Sequence, residues 1–348
     1  MAPHVATGAR RQWQWQHYLA FVGVAFLVWQ GWTIVAWLLE GPRASTEFRD
    51  TDSGAWIAAR LYEGAAVLVA VVTVSWVVRQ CRRERRLTFD AQLCIGGALC
   101  FWLDPVANMF QPVYIVSSNF VNVGNWCSQM PFLPNNDCGR VPEPIIFMGL
   151  LYVSGFVVCG HVLGAFLRAV RRRFPTISWF RLLLALAGLA LLFDIVVEMP
   201  AIVLHLWNYP SYPDSLSLLG HETKYPLFLA AAAIFGWGAV GLVHYIRDDR
   251  GRTIFEWKLD HLTPGRRTLV STLGVIAYMN LMVFGTDLIL ALGGPYASPW
   301  RGLPAHVVNG VCDTADGTVT GTRAGPCPGD PSYRVPMRNL PGEKPPKG

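Results

Sequence analysis

Residues 182–206 read LLLALAGLALLFDIVVEMPAIVLHL, an apolar run interrupted only by the acids Asp194 and Glu198 and by His205. A helix rises about 1.5 Å per residue and a bilayer's hydrocarbon core is about 30 Å thick, so roughly 20 such residues cross it. Further runs of this kind occupy Tyr18–Leu39, Ile57–Val78, Ala91–Val113, Pro144–Leu167, Pro226–Ile246 and Thr268–Leu292. The composition agrees, with 52% hydrophobic and 15% charged residues and a mean hydropathy of +0.32, well to the apolar side of a soluble domain. The expectation is an all-α polytopic membrane bundle of about seven transmembrane helices. It divides into an N-terminal cytoplasmic segment (1–17), a membrane domain (18–292) and a Pro/Gly-rich extracytoplasmic tail (293–348). The first run is longer than a signal-peptide core and no small-residue cleavage pattern follows it, so it is expected to stay in the chain.

Charge sets the expected orientation. Eighteen Lys and Arg lie before the first run and in alternate linkers, among them Arg79, Arg82, Arg83, Arg85 and Arg86, whereas the opposite loops hold only Arg43, Arg49, Arg140 and Lys224. The positive-inside rule then puts the N-terminus in the cytoplasm and the C-terminus outside, in a multi-pass protein of the plasma membrane. The same rule accounts for the arginine clusters without nucleic acid, which is not expected as a partner. This topology places Cys127 and Cys138 in one outer loop and Cys312 and Cys327 in the outer tail, where disulfides can form within each segment.

An ionisable side chain deep in a bilayer costs roughly 2.5–3.5 kcal/mol on insertion scales, so each needs a partner, water or a function. Five fall within the runs: Glu63, Asp104, Asp194, Glu198 and Asp287, with Glu143 at the outer mouth of the fourth. Helical spacing puts Asp104, Asn108 and Gln111 on one face, Asp194, Glu198 and His205 on another, and Asn280 with Asp287 on a third. Lipid cannot satisfy these stripes, so they are expected to meet in an internal cavity. Prolines beside them (Pro105, Pro112, Pro200) can bend the helices and widen it. The loop from Tyr114 to Pro144, carrying Asn119, Asn122, Asn125 and Trp126, reads as an ordered cover. His161 and His244, alone near the inner ends of their helices, read as interhelical glue.

Five acids with almost no intramembrane cation except Arg60 are too many for charge-paired glue, and a protonated acid beside an ionised one can carry out general acid–base chemistry. A phosphate substrate lacks the Lys, Arg and glycine-rich loop it would need. No HExxH or CxxC spacing signals a metal, so neither metal nor cofactor is expected. An enzyme rearranging a lipophilic small molecule that enters from the membrane lipid fits best. A proton-coupled transporter is the alternative, though no two homologous halves are visible. A retinal photoreceptor lacks its lysine on the last helix, and the expected orientation is opposite to that of seven-helix receptors. From position alone, Asp104 and Asp194 are the expected acid–base pair, with Glu198, Glu63 and Asp287 sharing the proton. Asn108, Asn122, Trp126, Asn280 and His205 are the expected substrate contacts.

Three motifs narrow the reading: Phe101-Trp102-Leu103-Asp104-Pro105 with Asn108, Asn122-Val123-Gly124-Asn125-Trp126 followed by Pro131, and Glu143-Pro144. In these the sequence resembles the spirocyclase family typified by AveC of avermectin biosynthesis, membrane proteins of similar length from actinobacteria. The resemblance covers most of the membrane region but not the tail. It implies spiroketal formation in polyketide secondary metabolism: two hydroxyls add to a ketone with loss of water, and in some members a further dehydration follows. A polyene or lipid-like substrate would call on the same proton chemistry.

Overall fold

The apolar runs form helices whose starts are marked by local chemistry. In the computed structural model these are α1 (Trp15–Glu40), α2 (Gly54–Glu84), α3 (Phe89–Ala98), α4 (Phe147–Arg173), α5 (Trp179–Val203), α6 (Leu227–Tyr245), α7 (Pro264–Ala291) and the short α8 (Ala305–Val308). The structure describes residues 14–42, 44, 46, 48–110, 112–131, 141–219, 223–293, 296, 300, 302–309 and 311. Ser53, Thr88 and Ser178 cap α2, α3 and α5 by accepting the backbone N–H groups of Trp56, Ala91 and Arg181, and Pro264 begins α7. Six of these helices are long and apolar enough to cross a membrane. Phe21, Val28, Leu61, Phe180 and Val196 are exposed on their outward faces, which suits lipid rather than water. α1 lies along α7, α4 along α6 and α5 against α6; α3 sits between α4 and α7, and α2 leans on α4.

The third run departs from expectation. Instead of one helix over Ala91–Val113, α3 stops at Ala98 and a 3-10 segment follows from Phe101 to Asn108. Pro105 is one cause: it has no N–H to donate, and its ring clashes with the carbonyl four residues back. The freed groups are satisfied by protein. Asn280 on α7 donates to the Leu99 carbonyl (3.1 Å) and accepts from the Trp102 indole (2.8 Å), while the Trp126 indole donates to the Trp102 carbonyl (2.6 Å). Trp102 through Asn108 are all buried, so the irregular backbone never meets lipid, the condition under which a membrane fold tolerates it. Close packing helps to hold the break: a Cβ on Gly97 would lie 2.0 Å from the Tyr152 carbonyl of α4.

At the arginine-poor end, two small antiparallel pairs build a cap. β1 (Ile115–Val116) pairs with β4 (Trp207–Asn208), and β2 (Val123–Gly124) pairs with β3 (Pro142–Glu143), setting Val123 opposite Glu143. Ile115, Val141, Trp300, Val307, Val308 and Val311 form a separate apolar cluster beneath α8. Cys127 is disulfide-bonded, while Cys81, Cys94, Cys100 and Cys159 are free. Cys138, Cys312 and Cys327 lie outside the described residues, as do Gln111 and nearly all of the tail.

Candidate active site

Breaking the third run turns Asp104 into the bundle. A 3-10 turn has three residues, so Ala107, not Asn108, shares the face of Asp104, and Asp104 and Ala107 line a cavity within the bundle. Met148, Leu151, Tyr152 and Phe156 of α4 form one wall; Leu229, Ala232, Ala233, Gly236 and Trp237 of α6 form another. From α7 come Met282, Val283, Thr286, Asp287 and Leu290, and from α5 Asp194 and Glu198, with Tyr114 and Tyr209 at the cap. The lining is thus mostly apolar, with four carboxyl groups and three phenols.

Each acid has a distinct setting. Asp104 accepts the Tyr152 hydroxyl at 2.7 Å, and the Glu143 carboxyl faces it within hydrogen-bonding reach. A carboxyl–carboxyl hydrogen bond needs a proton between the two groups. The second Glu143 oxygen, Oε1, is buried without a hydrogen-bond partner, as are Asp287 Oδ2 and the Tyr114 hydroxyl. Asp194 accepts the Tyr225 hydroxyl (2.6 Å) and the Trp237 indole (2.8 Å). Glu198, one turn further along α5, accepts the Trp207 indole and the Tyr209 hydroxyl. The cavity is therefore lined by Asp104, with the Glu143 carboxyl behind it, and by two carboxyl groups, Asp194 and Glu198, that accept from neutral donors.

The expected site residues divide accordingly. Asp104, Asp194, Glu198 and Asp287 meet at the cavity as expected. Glu63 does not: it pairs with Arg60 at 2.7 Å and accepts the Val121 N–H at 2.7 Å, so it anchors the cap. Asn108 folds the loop instead of facing substrate, accepting the Val113 and Tyr114 N–H groups (both 2.9 Å) and donating to the Tyr114 carbonyl. Asn122 donates to the Ser118 and Phe120 carbonyls within the cap. Trp126 and Asn280 hold the broken helix. His205 leaves the expected Asp194–Glu198 stripe because α5 ends at Val203 and the chain turns there with a φ of 52°. For Asn108 and His205 the expectation assumed unbroken helices, which place polar side chains on one stripe; Asn122 and Trp126 were expected from the loop, where they brace the cap and the broken helix. Missing from the expected set were Glu143 as a partner of Asp104, and the donors Tyr152, Tyr209, Tyr225, Trp207 and Trp237. Only the Glu143-Pro144 motif offered a signal for any of them.

A helical membrane bundle enclosing an apolar cavity with clustered carboxyl groups defines the class. The family model "Spirocyclase AveC-like" matches residues 84–298, from the end of α2 to beyond α7. The chain belongs to this spirocyclase family. No curated protein and no solved structure matches it.

Proposed function

We propose that the protein is a spiroketal cyclase acting by general acid–base catalysis on a lipophilic dihydroxyketone of polyketide type. The observation that supports this reading is that Asp104, backed by the Glu143 carboxyl, lines one mostly apolar cavity together with Asp194 and Glu198.

In the first step one substrate hydroxyl adds to the ketone, and Asp194 or Glu198 takes up its proton and passes it to the carbonyl oxygen, giving a hemiketal with the protonation of the site unchanged. The Asp104–Glu143 pair then delivers its proton to the hemiketal hydroxyl, which leaves as water. The second hydroxyl closes on the resulting oxocarbenium ion and returns a proton to the site, so one water is lost and the acids are restored. Apolar walls hold the folded substrate in one conformation, which selects the stereochemistry and accelerates ring closure through proximity. The same acid could drive a further dehydration of a neighbouring hydroxyl.

The test is cyclisation of a synthetic dihydroxyketone by purified protein in detergent, followed by chiral chromatography with the spontaneous rate subtracted. Asp104→Asn and Glu143→Gln are each expected to lower the enzymatic rate about 10²- to 10⁴-fold, the usual worth of a positioned acid or base. A wild-type rate equal to buffer across a panel of precursors would overturn the proposal.

A further inference from the structure

Asp90, His161 and His244 take no part in the cavity, yet they converge at the arginine-rich end of the bundle from α3, α4 and α6. The Nε2 atoms of His161 and His244 lie 3.2 and 3.3 Å from the same oxygen, Asp90 Oδ1, and the two imidazole rings are 4.3 Å apart. One ligand atom from each residue falls within 4.8 Å of the other two. Simple hydrogen bonding accounts for only part of this: a single Asp90 oxygen faces two imidazole nitrogens at once, and His244 Nδ1 has no hydrogen-bond partner. Tetrahedral zinc with bonds of about 2.0–2.1 Å separates its ligand atoms by about 3.3 Å, which matches the two His–Asp distances, and the two imidazoles lie within 4.8 Å of each other.

We propose that Asp90, His161 and His244 form a binding site for a divalent transition metal of the zinc class. Two imidazole nitrogens and one carboxylate oxygen suit zinc or cobalt and disfavour magnesium and calcium, which prefer all-oxygen shells. Asp90 and His244 are buried, while the His161 side chain is 42% exposed, which leaves a way in for the ion and room for a water ligand. Arg168, which donates to the His244 carbonyl (3.3 Å), and Arg247, whose guanidinium stacks on Phe89, oppose the ion's charge and weaken the site without filling it.

Position gives the metal a role. α3 leads into the segment carrying Asp104, Tyr152 and Phe156 precede His161 on α4, and Trp237 lies about two turns before His244 on α6. A bound ion ties together the three elements that set the inner end of the cavity. It is a fastening, not a reactant, and it stands or falls independently of the cyclase reading.

Untagged full-length protein in detergent, stripped with chelator, is titrated with Zn²⁺ and with Co²⁺, with Mg²⁺ as control. One equivalent of Zn²⁺ should bind and raise the unfolding temperature, and Co²⁺ should produce the visible bands of a low-coordinate complex. His161→Ala, at a partly exposed position that folding tolerates, and Asp90→Asn should each weaken binding at least tenfold. Absence of saturable binding by the wild type, or binding unchanged in both variants, would overturn the site.

Discussion

Tyr152 reaches Asp104 with a single hydroxyl, at 2.7 Å, and that contact is testable by removing one atom. A hydrogen bond to a charged group is worth about 1.5–3 kcal/mol, so Tyr152→Phe should lower the cyclisation rate about 10- to 100-fold, chiefly in kcat, because the donor steadies a catalytic acid and not the substrate. A change in KM alone would assign Tyr152 to binding. At this scale the acids were legible and their partners were not. A charge in a membrane helix is expensive wherever it sits, so Asp104, Asp194, Glu198 and Asp287 announce themselves in one dimension. Tyr152, Tyr225 and Trp237 do not, because aromatic residues are ordinary in membrane helices and their aim depends on neighbouring elements. Asp90, His161 and His244 were harder still, since three helices must be docked before the cluster exists.

Among the elements, the broken third helix carries most of the consequence. Pro105 was readable as a bend, but how far the helix retreats depends on Asn280, 175 residues further along the chain. Asn280→Ala strands the buried Trp102 indole and the partly buried Leu99 carbonyl; at about 1–3 kcal/mol for each unsatisfied group, it should destabilise the protein by about 2–4 kcal/mol. Thermal unfolding in detergent measures this, and a loss below 1 kcal/mol would mean that the break is held elsewhere. The cap has its own weak point. His306 on α8 meets Ser117 Oγ at 2.9 Å, and its backbone carbonyl accepts the Ser118 N–H at 2.7 Å. Burial pushes the His306 imidazole down to about 4 from an ordinary 6.5, opposed by Asp50 and reinforced by His205. Between these values the opened clasp binds a proton that the closed one does not, so closure is fully favoured above pH 6.5 and weakens as the pH falls towards 4. The hydrogen-exchange protection of residues 115–120, taken relative to the intrinsic rate at each pH, should therefore fall at low pH in the wild type, and this fall should flatten in His306→Gln.

At the scale of the whole molecule, two independent features give the same orientation. Cations crowd one end of the bundle, with Arg82, Arg83 and Arg85 closing α2 and Arg171 to Arg173 closing α4. The opposite end carries the disulfide-bonded Cys127, while Cys81, near the arginine-rich end of α2, is a free thiol. Positive charge is retained on the cytoplasmic side, and disulfides persist where the surroundings are oxidising, so each feature alone predicts the cap outside. This orientation can be predicted from the sequence because it depends on composition along the chain and not on docking. The cap, by contrast, needed the strand pairing of β1 with β4, whose partners are some ninety residues apart. Cysteine accessibility decides the orientation. Asp52→Cys, exposed in the loop before α2, should react with an impermeant maleimide in intact cells, whereas Arg250→Cys, exposed between α6 and α7, should react only in inside-out vesicles. The reverse pattern would turn the molecule over and place the carboxylate cavity nearer the cytoplasmic face. The cap would then have to keep its disulfide on the reducing side, and the arginines would have to cross the bilayer against the retention that normally holds them.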